Sequence, residues 1–243
     1  MLSSEPKRDR GLALLPVAAL AAFAIMVGLG VWQLQRLAWK QHLIEQIGQR
    51  VHAPPVPVER LLTNADDAEY THVSVTGRLH HEWERYLYAT GEGDWGWDVF
   101  TPLELADSRL LLVNRGYVPR QRLDRVSRAE GLTPGEVTIT GLLRKAPAAR
   151  PWWTPAGDAT KGLWYWPEIA AMAASVPAGS NAIANIYIDS DLIAAPAPPM
   201  GGTTNLTLAN RHLEYALTWF ALAATFAVIY AVFVAHRLRA ARG

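Results

Sequence analysis

The sequence contains no cysteine. That excludes disulfide staples, thiolate zinc sites and thiol nucleophiles, and it fits an oxidising compartment without demanding one. An excess of either charge is also missing. Lys and Arg number 23 against 22 Asp and Glu, a net charge of +1, so no basic surface for nucleic acid is announced. Signatures of catalysis are absent as well. There is no nucleophile elbow, triad pattern, P-loop or H-E-x-x-H, and the chain reads as a non-enzyme. One literal G-x-G-x-x-G occurs, Gly91 to Gly96, but it holds Glu92 and Asp94, which would repel phosphate, and a strand-like run follows it rather than a helix. It reads as a hairpin loop. His80-His81-Glu82 is no metal fragment, because neighbours on a strand point to opposite faces; a polar surface turn is expected. His42, His52, His72 and His236 offer no spacing that suggests a site, although His236 sits where it could cap a helix beside Arg237.

What is present is a pair of long apolar runs, one near each end, from Gly11 to about Leu34 and from Leu213 to Ala235. Each is long enough to cross a hydrocarbon core as a helix of about 20 residues. The first is too long for a signal h-region and lacks a small-residue cleavage site at its far end, where Trp32-Gln33-Leu34-Gln35-Arg36 follows, so it reads as an uncleaved anchor. Lys7, Arg8 and Arg10 flank the first run, and Arg237, Arg239 and Arg242 follow the second. By the positive-inside rule both tails (1–10 and 236–243) are cytoplasmic and the middle is periplasmic, in a bacterial inner membrane. No Arg- and Ser-rich transit segment argues for organelle import. The fold class expected is an α+β membrane protein, with two transmembrane helices (11–34, the helix extending to about 49, and 213–235) flanking a β-rich extracytoplasmic domain at 50–209.

Inside that domain, strand-like alternation or buried runs occur at 69–79, 85–89, 97–103, 109–119, 136–144 and 184–189, and a short helix with proline in its first turn at 167–173. Ala53-Pro54-Pro55-Val56-Pro57 and the stretch from Pro196 to Gly202 read as linkers to the two spans. In Asn114-Arg115-Gly116-Tyr117, a buried run ends in polar residues; Gly116 is expected to make a tight turn, and Arg115 to pair with a carboxylate at a structural corner. The aromatic stretches around Trp152-Trp153 and Trp164-Tyr165-Trp166 could be core, a membrane-facing belt or a docking patch.

The mouths of the spans carry the candidate site. On a helix, His212, Tyr215 and Trp219 fall at i, i+3 and i+7, which puts an imidazole and an indole on one stripe at the edge of a span. Such groups are costly in lipid, and an ionisable residue there is a site hypothesis by default. Facing the same compartment, Trp32, Arg36 and Trp39 share a face of the first helix, with Gln33 and Lys40 on a neighbouring stripe. An interfacial belt explains these residues; an aromatic wall with Arg36 or Lys40 holding an anionic group explains them too.

Three stretches together resemble one known family. Gly30-Val31-Trp32-Gln33-Leu34-Gln35-Arg36-Leu37-Ala38-Trp39-Lys40 is similar to its first-span signature, Val113-Asn114-Arg115-Gly116-Tyr117-Val118-Pro119 to its central N-R-G-W-V-P motif, and His212-Leu213-Glu214-Tyr215-Ala216-Leu217-Thr218-Trp219-Phe220 to its second-span H-L-x-Y-A-x-T-W-F motif. Tyr117 replaces the usual Trp, and Arg211 stands where many members have Asn. The family is the surfeit locus protein 1 (Surf/Shy) family, assembly factors for haem–copper cytochrome c oxidase, and the short N-terminus resembles its bacterial members. The resemblance implies a chaperone that binds haem a transiently and assists its insertion into subunit I. It names subunit I and other assembly factors as partners, with haem a synthase a further candidate. It places the iron ligand at His212 with Trp219 nearby; if the two span ends adjoin, Arg36, Lys40 or Arg211 could bind the haem propionates, a step beyond the resemblance. The alternative is a haem-free scaffold that stabilises an oxidase assembly intermediate. A two-span sensor would need a signalling module after Ala235, where few residues follow.

Overall fold

Where water is excluded, an apolar run can satisfy its backbone only within its own helix, and both terminal runs are helical. In a computed structural model, α1 spans Asp9–His52 and α3 spans His212–Ala240. The described residues are 9–62, 65–91, 94–177, 179–192, 198–204, 206, 210–240 and 242; the tail before Asp9 and parts of the second linker, 193–197, lie outside them. They fall into two units, Met1–Gln46 with Thr207–Gly243, and Ile47–Leu206.

In the first unit, two helices are long and apolar enough to cross a membrane. At 44 residues α1 is about 66 Å long, roughly twice the thickness of a hydrocarbon core. The helices run antiparallel: Gln33 bonds His212, the Phe220 ring lies against Gly30, and a cavity of about 350 Å³ opens further along between Pro16, Phe23, Phe226 and Tyr230. Along α1 the covered positions include Ala19, Phe23, Met26, Gly30 and Gln33; along α3 they include His212, Ala216, Trp219, Ala223, Phe226 and Tyr230. The spacing alternates between four and three, the 3.5-residue period of a knobs-into-holes seam. Gly30 makes room there: a Cβ would lie 2.6 Å from the Phe220 ring, which would have to shift. Outward positions such as Leu20, Ile25, Val228, Ile229 and Val232 are apolar and exposed, as a lipid-facing surface must be.

The second unit is a β-rich domain, as the sequence patterning predicts. Its strands are β1 Val56–Pro57, β2 His72–Leu79, β3 Arg85–Thr90, β4 Trp95–Glu104, β5 Leu110–Pro119, β6 Glu136–Lys145, β7 Leu163–Trp164 and β8 Ala182–Ser190, with the short helix α2 at Ile169–Ala174. The order β1-β2-β6-β8-β5-β4-β3-β7, with β2 also pairing β4, closes five strands (β2, β6, β8, β5 and β4) into a barrel. Only β5 and β8 within the barrel run parallel. Val73, Val75, Leu103, Leu111, Val113, Leu143 and Ile188 fill it, all close to fully buried. Outside the barrel wall α2 packs Ile169 and Met172 onto Phe100, Leu112 and Tyr187. Strand β5 is thus covered on both faces, which is why it reads as a continuous apolar run rather than an alternating one.

One expectation is corrected, and two others gain detail. Gly116 does not end β5 in a turn. The strand continues through it at φ +108°, and the backbone of Met200 lies where a Cβ would be. The two linkers are not loose either: Val56 and Pro57 join the sheet beside β2, and Met200 and Tyr117 exchange two backbone hydrogen bonds of 3.0 Å. The G-x-G-x-x-G segment does bridge the β3–β4 hairpin at Gly91 and Asp94; Glu92 and Gly93 lie outside the described residues.

Gly116→Ala should destabilise the protein by about 2–4 kcal/mol, since both a disfavoured φ and a backbone collision must be relieved. Chemical denaturation in detergent checks this, and a change within about 0.5 kcal/mol would mean that the strand and the Met200 segment are not locked together.

Candidate functional site

The second span opens on His212. The backbone N–H of Tyr215 donates to the Arg211 carbonyl at 3.3 Å, and the Glu214 carboxylate in the first turn suits the positive end of the helix dipole. Both Nε and Nη2 of Arg211 donate to one oxygen of Glu214, at 3.0 and 2.9 Å, on the exposed side of the helix. His212 turns the other way, towards α1, where its Nδ1 lies 2.7 Å from Oε1 of Gln33. The amide oxygen can only accept, so Nδ1 donates, which in the neutral ring leaves the lone pair on Nε2. Nε2 has no partner among the described residues. Two residues earlier, Oδ1 of Asn210 is buried and also without a partner.

The other predicted site residues divide between the seam and the outer faces. Trp219 is half-buried on the seam, two turns into the span from His212. Tyr215 is 55 % exposed and belongs to the outer face, because the covered line steps from His212 to Ala216. On α1, Trp32 is 50 % exposed and shares its outer face with Arg36, whose guanidinium stacks on Trp39 at 4.4 Å. Lys40 is half-buried two turns beyond Gln33, on the same stripe. The structure therefore joins His212 to Gln33 and not to the Trp32–Arg36 face. A seven-residue count from Met26 through Gly30 to Gln33 is the signal that places Gln33 on the seam.

The central motif sends its two polar side chains to opposite faces of β5. Asn114 donates to Oδ1 of Asp189 at 3.0 Å and accepts from the Gly116 N–H at 3.0 Å, while Arg144 and Thr204 donate to Oδ2 of Asp189 at 2.8 and 2.9 Å. Asp98 shares this site. Burial pushes its carboxyl up to about 6, the Asp189 carboxylate adds to the shift, and the Asn114 hydrogen bond opposes it. On the other face, Arg115 lies 3.7 Å from Oε1 of Glu84, a carboxylate clamped from its other side by the fully buried Arg128. Tyr86 donates to Glu84 at 3.1 Å. Burial alone would raise the Glu84 carboxyl, but His81, Arg128 and Arg115 bring it below the usual range. The predicted corner role of Arg115 is thus met, and its carboxylate is Glu84. The His80-His81 pair lies at a polar turn, as expected, but half-buried rather than at the open surface: His80 is held between Glu104 and Glu82 at 2.8 and 3.0 Å, and His81 accepts from Arg115 at 3.2 Å. Neither is arranged around a metal, and the described residues contain no metal-binding cluster. His72, which spacing could not place, bridges the Ala53 carbonyl and Asp191 at 2.8 Å each, and so ties the end of α1 to the strand that leaves β8. Both acceptors favour N–H on the ring: burial lowers its pKa, but Asp191 and the Ala53 carbonyl raise it further, for a net increase.

The Asp98 shift sets a pH dependence. Its folded-state value of about 6 exceeds the ordinary 3.8, so the folded protein holds a proton that the unfolded chain has lost across that window. The contribution is present below the lower value and is lost as pH rises through the upper one. Asp98→Asn should therefore stabilise the protein at pH 7 by about 1–3 kcal/mol and flatten stability between those two values. Denaturant titrations across that range check it, and a variant less stable than the parent at pH 7 would refute the assignment.

The SURF1 family matches residues 20–224, which include both span motifs and the whole barrel. The chain is 34% identical to surfeit locus protein 1 of Mus musculus over 224 residues, covering 85% of this chain and 71% of the mouse protein. It is 32% identical to that of Homo sapiens over 237 residues, with 90% and 75% covered. It is also 31% identical to a SURF1-like protein of Drosophila melanogaster, with 88% and 77% covered. On that breadth of match, the chain is a membrane protein that belongs to the SURF1 family.

Proposed function

We propose that this protein works in cytochrome c oxidase assembly, the task of its family, by holding haem a at the mouth of its paired spans and assisting its insertion into subunit I. The observation that carries this reading is the His212 imidazole, bonded through Nδ1 to Gln33 and with Nε2 unpartnered. A metal-bound histidine has that arrangement: the far nitrogen is bonded to an acceptor, which orients the ring and strengthens the near one as a ligand. The neighbouring groups fit a macrocycle. Trp219 supplies a half-buried indole on the same seam, and Asn210 supplies a buried amide oxygen that is still unused. Lys40 lies two turns past Gln33 on the same stripe, at the end of α1 remote from the bilayer core, where a haem's propionates would need a cation, while Arg36 stays with Trp32 on the outer face. Haem a, when bound, supplies the iron; the protein supplies the axial nitrogen, an aromatic wall and shielding from water. Tyr215 and Trp32, on outer faces, would serve as interfacial anchors or as contacts for subunit I.

Arg237 and Arg239 in the last turn of α3, with Arg242 after it in the sequence, support a cytoplasmic C-terminus. The barrel would then be periplasmic, in a bacterial inner membrane, and haem a synthase would be a natural donor. No step in this role requires turnover.

Purified in detergent and loaded with haem a, the protein should show a Soret band, and His212→Ala should weaken haem a binding at least about tenfold. An unchanged affinity in the variant would remove His212 from the site. No binding by either protein, with oxidase assembly still dependent on the chain, would leave the haem-free scaffold.

A further inference from the structure

We propose that Gln33 is the positioning residue that selects the tautomer of His212, and so sets this site to receive an electron-pair acceptor rather than to donate a proton. Only the identity of the ligand rests on the haem reading above; the tautomer stands on the geometry of the two helices.

Gln33 occupies a seam position that an apolar residue would ordinarily fill, following Ala19, Phe23, Met26 and Gly30. A polar amide placed there must find a partner on the facing helix, because lipid offers none. It finds one in His212 at 2.7 Å, where its Oε1 accepts the Nδ1 proton. The register that brings the two residues level is fixed one turn away: Gly30 has no side chain, and the Phe220 ring occupies the space a Cβ would need. A long helical side chain covers the turn before its own Cα, so Phe220 reaches back over the Gly30 level and leaves the first turn of α3 to face Gln33.

Among the described residues no other group bonds the ring. The one carboxylate in the first turn, Glu214, is held by both donors of Arg211. The Arg36 guanidinium lies over Trp39. A neutral imidazole with Nδ1–H and a bare Nε2 offers a lone pair at that nitrogen, to a transition-metal centre, a hydrogen-bond donor or a proton. An anion would be rejected at that atom. Free imidazole favours no such arrangement on its own; the amide oxygen imposes it.

The test uses the full chain in detergent with ring-¹⁵N histidine, and the His212 signals are those lost in His212→Ala. The ligand-free protein should show a protonated Nδ1 and an unprotonated Nε2. Gln33→Glu, which keeps an acceptor oxygen, should preserve that pattern. Gln33→Leu, which has none, should shift His212 towards Nε2–H and weaken haem a binding about 10–100-fold, with Gln33→Glu close to the parent. An Nε2–H ring in the parent, or an unchanged ring in Gln33→Leu, would overturn the proposal. If the tautomers behave as stated while no variant binds haem a, the ligand reading fails and the role of Gln33 stands.

Discussion

One hydrogen bond between two apolar helices gives the membrane unit its chemical direction. Gln33 and His212 are polar residues that meet on a seam built largely from Ala, Gly, Phe, Met and Trp. Such a bond contributes only about 0.6–2 kcal/mol to pairing, because an unpaired polar group in lipid also finds partners. Its value lies in register. A helix pair held by dispersion between small and aromatic residues can slide, whereas a single polar contact at a seam position distinguishes one alignment from the next. Gly30 and Phe220 supply the complementary constraint, a ring seated where no side chain exists. Together they deliver an oriented imidazole to the edge of the bilayer with one nitrogen engaged and the other open.

The barrel solves a different problem with the same economy of residues. Three consecutive residues of β5 serve three purposes: Asn114 joins the Asp189 and Arg144 network on the outer wall, Arg115 joins Glu84 on the opposite face, and Gly116 admits the Met200 backbone. Glu84 is shared by two guanidiniums, and removal of either partner would leave buried charge behind. The motif is therefore explained by the architecture of the domain, and no ligand is needed to account for it.

Much of this was legible in the sequence because its signals were local. Alternation located β2, β3, β4 and β6, a doubly buried run located β5, and two long apolar stretches located the helices. What escaped depended on neighbours distant in the chain. Gly116 signalled an unusual φ but not that Met200, far along the chain, would lie against it. His81 and His72 had no spacing partner because their partners come from Arg115, Asp191 and a helix-end carbonyl. At the span mouth, the i, i+3, i+7 stripe grouped Tyr215 with His212, yet the seam follows i, i+4, i+7 through Ala216. The same difference hid Gln33 behind its more conspicuous neighbours Trp32 and Arg36. A helix-face argument within one segment finds a stripe; only the facing helix decides which edge of that stripe is covered.

The central claim is that positions 33 and 212 meet across the antiparallel seam. Because the sequence has no cysteine, an introduced pair can be read without background. In membranes treated with a short bis-thiosulfonate cross-linker, the pair Gln33→Cys with His212→Cys should cross-link within the chain, whereas Gln35→Cys with His212→Cys, which starts from an exposed position of α1, should not. Equal cross-linking of both pairs, or of neither, would contradict the account.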